Sequence, residues 1–174
     1  MKTVTIALAT VLIAGAAVAS GMLKPGDAFP AWKLVDQTGA TVSSADLAGK
    51  PYLLWFFPKA MSPGCTAEGC ALRDNYDAFV KAGVLVIGVS FDTPAENARF
   101  IEKDHFPFRI VSDTDRALAV AVGAAEKPTQ MWAHRISYLV GADGKVIKAY
   151  PKVNPSRHAE QVLADLAAMG IGRK

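Results

Sequence analysis

Pro51-Tyr52-Leu53-Leu54-Trp55-Phe56-Phe57-Pro58-Lys59-Ala60-Met61-Ser62-Pro63-Gly64-Cys65 decides the architecture of this chain. Tyr52 to Phe57 is a short, nearly all-apolar run between two prolines, which fits a strand buried on both faces. Pro58 ends it, and a loop runs to Gly64. From Cys65 the period changes. Leu72, Tyr76, Phe79 and Val80 recur at helical spacing and predict one helix from Cys65 to about Ala82, stopped by Gly83. A cysteine therefore falls where a buried strand hands over to a helix.

Downstream the same alternation repeats. Val84 to Ser90 is a second apolar, β-branched run. Thr93-Pro94-Ala95-Glu96 is a capping box with proline at the first helical position, opening a helix to about Asp104. Phe108 to Val111 predicts a short strand and Asp115 to Val122 a short helix. Ile136 to Val140 and Val146 to Tyr150 flank Asp143-Gly144, a hairpin signal. Pro155 starts a last helix with Val162, Leu163, Leu166 and Met169 on one face, ended by Gly170. Upstream, Trp32 to Val35 and Thr41-Val42 pair as short strands around a turn. Alternating strands and helices followed by a hairpin predict an α/β fold, a thioredoxin-like three-layer sandwich with a central mixed β-sheet and helices on both faces. In such a fold the loop leaving a buried strand for a helix N-terminus is a natural reaction site.

The chain has 174 residues, 51% hydrophobic and 20% charged, with a net charge of +3. That is the composition of one globular domain, too apolar for disorder and too weakly and evenly basic for a nucleic-acid surface. Two cysteines exclude a disulfide-dense framework and a four-thiolate zinc site. Residues 1–19 read differently from the rest. Met1-Lys2-Thr3 is short and basic, Val4 to Ala19 carries no charge, and Ala17-Val18-Ala19 is a small-residue exit before Ser20. The pattern predicts a secretory signal peptide over 1–19 and a domain over 20–174. A membrane anchor is the other reading, but a span needs roughly 18 or more apolar residues and this run is shorter. The mature domain is thus expected outside the cytoplasm, in a bacterial periplasm, with no stable membrane association once the leader is removed. Disulfides persist in that compartment.

Cys65 opens the predicted helix, where unpaired amides and a partial positive charge favour a thiolate over a thiol. Pro63 stiffens the turn, Gly64 permits close approach to the backbone, and the Ser62 hydroxyl can donate and accept beside the sulfur. Cys70 follows five residues later. On an intact helix their Cα atoms stand roughly 8.7 Å apart, beyond the reach of about 7 Å for a disulfide. Three readings remain at this point: a reversible disulfide that needs the helix to unwind, a permanent small-loop disulfide, and two inert buried thiols.

Pro58-Lys59-Ala60-Met61-Ser62-Pro63-Gly64-Cys65-Thr66-Ala67-Glu68-Gly69-Cys70 resembles the signature of the peroxiredoxins, in particular the Q-type or bacterioferritin-comigratory-protein branch. Arg73-Asp74, Gly88-Val89-Ser90 with Asp92, and Arg135-Ile136-Ser137-Tyr138 continue the likeness along the mature chain. The resemblance implies a thiol-dependent peroxidase without metal or organic cofactor. It implies that Cys65 attacks a hydroperoxide and becomes a sulfenic acid, and that Cys70 resolves it to an intramolecular disulfide. Ser62 would orient the peroxide, Arg135 would stabilise the thiolate and the leaving oxygen, and Pro58 would shield the sulfur. A thioredoxin-like protein would recycle the enzyme, which would be a monomer or weak dimer. Two departures stand out: serine at 62, where the branch usually has threonine, and an unfamiliar stretch from Ala124 to His134. The competing function is an extracytoplasmic thiol–disulfide oxidoreductase acting on proteins, a class that usually carries C-x-x-C. A copper-binding module on the same fold fits worse still.

Read without the resemblance, Arg135 is a surface ion-pair residue, Glu68 and Arg73 are exposed helix charges, and His105, His134 and His158 are solvated or capping. Trp132 lies in a loop, with exposure and burial equally open.

Overall fold

Tyr52–Phe56 is buried at every position, as its composition predicts, because it lies inside a seven-stranded sheet with neighbours on both sides. The structure is a computed structural model and describes residues 21–172. The expected leader, residues 1–19, lies outside the described residues. In chain order the elements are β1 (Lys33–Asp36), β2 (Thr41–Ser43), β3 (Tyr52–Phe56), α1 (Pro63–Asp74), α2 (Tyr76–Lys81), β4 (Leu85–Ser90), α3 (Pro94–Asp104), β5 (Arg109–Ser112), α4 (Ala117–Ala121), β6 (Ile136–Val140), β7 (Val146–Tyr150) and α5 (His158–Ala168). Short 3-10 turns precede β3 (Ser44–Leu47) and α5 (Pro155–Arg157).

The sheet order is β2-β1-β5-β4-β3-β6-β7. Strands β3, β4 and β5 run parallel, while β6 is antiparallel to β3 and β7 to β6. This is the mixed sheet of the expected thioredoxin-like sandwich. The helices divide unevenly between its faces, for a topological reason. The connections β3–α1–β4 and β4–α3–β5 step in the same direction, so right-handed crossovers put both helices on one face. There α1, α2, α3 and α5 cover Leu53, Trp55, Phe57, Val86, Ile110 and Leu139. The connection from β5 to β6 travels back across the sheet, and α4 joins the first 3-10 turn on the other face, over Leu54, Phe56, Ile87, Val89 and Val111. Side chains alternate between the two cores because the strand period is two.

Three local readings are corrected. The helix expected from Cys65 to Ala82 begins at Pro63 and breaks at Asn75 (φ −106°, ψ 9°), whose side chain donates to the Ala71 carbonyl at 2.9 Å. The restart resets the helical phase, so Phe79 is buried while Val80 is 57% exposed. The helix expected from Asp115 is shortened to Ala117–Ala121, because Arg116 is left-handed (φ 62°) and the Asp115 carboxylate accepts from Ala117 N–H. Met169 is exposed rather than on the apolar face, because α5 ends at Ala168 and the chain turns at Gly170 (φ 70°). The capping box holds: Thr93 N–H donates to Glu96 at 2.8 Å, and Glu96 N–H donates to Thr93 Oγ1 at 3.3 Å.

Helix α1 rests against the chain leaving α3 through Gly69, where any Cβ would collide with the Phe106 ring. Phe106 is itself wedged between Phe100 and Phe108, with ring centroids at 4.8 and 5.3 Å. It has little room to retreat. Gly69→Ala is expected to destabilise the fold by about 2 kcal/mol, read as a lower urea midpoint with an unchanged slope.

Candidate active site

The end of β3, the start of β6 and the N-terminus of α1 meet at one point. β3 and β6 are paired with Phe56 opposite Ile136, so the loop leaving β3 and the residue preceding β6 emerge side by side. The first leads to Cys65, the second is Arg135. Arg135 Nη2 lies 3.4 Å from Cys65 Sγ, and Nη1 of the same guanidinium pairs with the Glu68 carboxylate. The spacing 65 to 68 puts thiol and carboxylate on one helical face, and the guanidinium bridges them.

Cys65 is fully buried in the first turn of α1. Ser62 is the residue before the helix, and Pro63 has no N–H to satisfy. The first intrahelical bond runs from Thr66 N–H to the Ser62 carbonyl, at 2.9 Å. The amides of Gly64 and Cys65 thus sit in the turn where the helix supplies no acceptor. The Ser62 hydroxyl makes no cap bond to them and is half-buried. Pro58 is half-buried at the start of the same loop. Gly64 has a specific cause: a Cβ there would stand 3.1 Å from Arg135 Nη2. The group whose close approach it permits is the Arg135 guanidinium.

Arg135 is therefore no surface ion-pair residue; its side chain is 20% exposed. Burial works against its charge, but Cys65 and Glu68 outweigh that and raise its pKa. Glu68 is fully buried, against the expectation of an exposed helix charge. Burial pushes its carboxyl up to about 7, with Arg135 pulling the other way, and its Oε1 has no hydrogen-bond partner. The i, i+3 relation to Cys65 was the signal that could have found it.

Cys70 is half-buried and, like Cys65, a free thiol. Burial pushes it up, and the Arg73 guanidinium beside it opposes the shift. Arg73 also donates to the Asp104 carbonyl at 2.6 Å, which ties α1 to the end of α3. The stretch from Ala124 to His134 lies at the site's edge, anchored by His134 N–H on the Ala124 carbonyl at 2.7 Å. Met131 and Trp132 project from it, 69% and 54% exposed. The cavity lined by Tyr76, Ile87, Phe108 and Arg109 opens near the starts of β4 and β5, at the opposite end of the strands from Cys65.

His105 caps α3 in a left-handed conformation and His134 is exposed, both as expected. His158 departs from expectation. It is fully buried at the start of α5, with Nε2 2.8 Å from Ser137 Oγ and its ring edge-on to Tyr150. Nothing local to 155–158 signals this, because both partners, Ser137 and Tyr150, lie on the distant strands β6 and β7.

Residues 25–149 match the AhpC/TSA family. The chain is 42% identical to Peroxiredoxin Bcp of Escherichia coli strain K12 over 146 residues, covering 81% of this chain and 94% of that one. Its structure is similar to the crystal structure of peroxidoxin BcpB from Mycobacterium tuberculosis, with a TM-score of 0.78 and 30% identity, covering 84% of this chain and 98% of that one. It is also similar to Xanthomonas campestris Peroxiredoxin Q, with a TM-score of 0.74 and 33% identity, covering 79% and 90%. The fold and these relatives together place the chain in the peroxiredoxin class of oxidoreductase. The chain belongs to the AhpC/TSA family, with Bcp and PrxQ peroxiredoxins as its relatives.

Burial and the nearby Arg135 charge hold the His158 pKa down, at about 4. The folded protein therefore favours neutral imidazole. Above pH 6.5 both folded and unfolded states carry it neutral, and stability is complete. As pH falls from 6.5 to 4 the unfolded state takes the proton first, and about 3 kcal/mol is lost. Chemical denaturation across that window should show the slope in the wild type and a flatter profile in His158→Gln.

Proposed function

We propose that this thiol-dependent peroxidase reduces hydrogen peroxide and organic hydroperoxides through Cys65, with Cys70 as the resolving thiol. The observation that carries the reading is the 3.4 Å contact between Arg135 Nη2 and Cys65 Sγ in the first turn of α1. Helix amides and the guanidinium both favour negative charge at that sulfur. The thiolate attacks one peroxide oxygen, the O–O bond breaks, and the other oxygen leaves as water or alcohol after taking a proton. Cys65 is left as the sulfenic acid. Arg135 faces the charge that develops on the leaving oxygen, and the uncommitted Ser62 hydroxyl orients the peroxide. Pro58 shields the sulfur from bulk water.

Resolution forms the Cys65–Cys70 bond and releases water. The two thiols sit five residues apart on one helix, roughly 8.7 Å between Cα atoms at ideal geometry, so α1 has to unwind. The break at Asn75 supports this step, since it separates α1 from α2 and lets α1 open alone. A thioredoxin-like dithiol then reduces the disulfide by exchange. The leader-like residues 1–19 support an extracytoplasmic, periplasmic site of action for a domain spanning 20–174, as a monomer or weak dimer. Mass spectrometry of the exported protein should find a chain starting at Ser20.

Stopped-flow fluorescence with hydrogen peroxide tests the chemistry. Wild type should react far faster than free cysteine and form an internal disulfide. Cys65→Ser should abolish turnover, and Cys70→Ser should leave one chemical event without recycling. Arg135→Met should lose roughly 10²–10³ in rate. A wild-type reaction no faster than free cysteine would end the assignment.

A further inference from the structure

The loop between β3 and α1 carries Pro58 and Ser62, which the proposed mechanism sets against Cys65, and has no regular structure of its own. Its grip comes from the neighbouring strand. β4 runs beside β3, and just beyond its last residue, Ser90, stands Asp92, whose side chain is buried. Asp92 Oδ2 accepts the Ala60 N–H at 2.8 Å, and Oδ1 pairs with the Lys59 ammonium. Lys59 also donates to Glu96 Oε1 at 3.0 Å, and Glu96 is locked in the capping box of α3. Both loop residues between Pro58 and Met61 are thus held by carboxylates outside the loop.

Asp92 is braced from behind. Its own N–H donates to Ser90 Oγ at 3.2 Å, and its carbonyl accepts from Asn97 Nδ2 at 3.4 Å. Asn97 Nδ2 also donates to Ser112 Oγ at 3.0 Å, while Ser90 Oγ donates to Asn97 Oδ1 at 3.2 Å. Ser90, Asn97 and Ser112 are all buried. A fully paired network across β4, α3 and β5 ends in one carboxylate that grips the loop. Only Met61 separates the gripped Ala60 from Ser62, and Met61 is left-handed at φ 62°. A non-glycine residue keeps that conformation when its flanks over-determine it. Here Asp92 holds one flank and the start of α1 holds the other.

We propose that Asp92 is the positioning residue of the active-site loop, setting Pro58 and Ser62 against the Cys65 sulfur while touching neither sulfur nor substrate. The inference rests on Cys65 being the attacking thiol. A carboxylate suits the place because both atoms facing it are donors. An amide would accept from one and turn its own N–H groups toward the other, leaving a buried donor unsatisfied.

The test compares wild type, Asp92→Asn, Lys59→Met and Cys65→Ser in peroxide kinetics, amide hydrogen exchange and thiolate ultraviolet absorbance at neutral pH. Asp92→Asn should lose about tenfold in kcat/KM for hydrogen peroxide, because small misplacements of orienting groups cost that much or more. Its thiolate absorbance should match wild type, because Arg135 and the α1 amides are untouched. The Ala60 amide should exchange faster while amides of β3 keep their protection. Lys59→Met should lose less, since the Ala60 bond remains. An Asp92→Asn rate equal to wild type, with wild type faster than Cys65→Ser, overturns the Asp92 assignment alone. So does a slow Asp92→Asn that has also lost protection across β3, which would mark a merely structural role. Wild type no faster than Cys65→Ser removes the Cys65 reading beneath it.

Discussion

One guanidinium holds this site together. Arg135 is shared between the Cys65 sulfur and the Glu68 carboxylate, with all three taken largely out of water. Each group alone would be costly in that position. A buried carboxylic acid without a partner resists ionisation, and a buried thiol does the same. The guanidinium offsets part of the cost of burying the Glu68 carboxylate, and its own charge is favoured in return by Cys65 and Glu68, which its raised pKa reflects. Glu68 pays part of that cost, with one oxygen unpartnered and its carboxyl pushed up to about 7. A buried ion pair of this kind adds little to net stability, but removing one member leaves uncompensated charge. The pair fixes where the guanidinium stands relative to the Cys65 sulfur.

The sheet makes that geometry possible. β3 sits between β4 and β6, so the segments beyond its end are flanked on one side by Asp92 and on the other by Arg135. The parallel neighbour contributes through its C-terminal end and the antiparallel neighbour through its start, because both ends emerge on the same side of the sheet. Gly64 leaves room for the guanidinium, and Gly69 lets α1 press against Phe106. The loop leaving β3 is thereby held from the end of β4 and from α3, while Cys65 stays in the first turn of α1 beside Arg135.

Order of elements, the two-faced burial of β3, the capping box, the hairpin at Asp143-Gly144 and the placement of Cys65 at a strand-to-helix junction were all legible in residue patterns, because each depends on neighbours within one element. The misreadings share another cause. Glu68 and His158 are polar residues in otherwise ordinary helices, and nothing local says that one faces a distant arginine and the other a serine on β6. Val80 and Met169 were placed by a helical phase that did not survive the break at Asn75 and the end of α5 at Ala168.

Local patterning sufficed for the fold class and for a thiol poised at a helix N-terminus, since periodicity, proline placement and capping act over a few residues. Which charges surround that thiol was decided by the tertiary structure. Arg135 is 70 residues from Cys65 in the chain and Asp92 is 32 from Ala60. Only the pairing of β3 with β6 and β4 brings them together, and strand pairing is a property of the whole sheet, set by where every buried face can find cover.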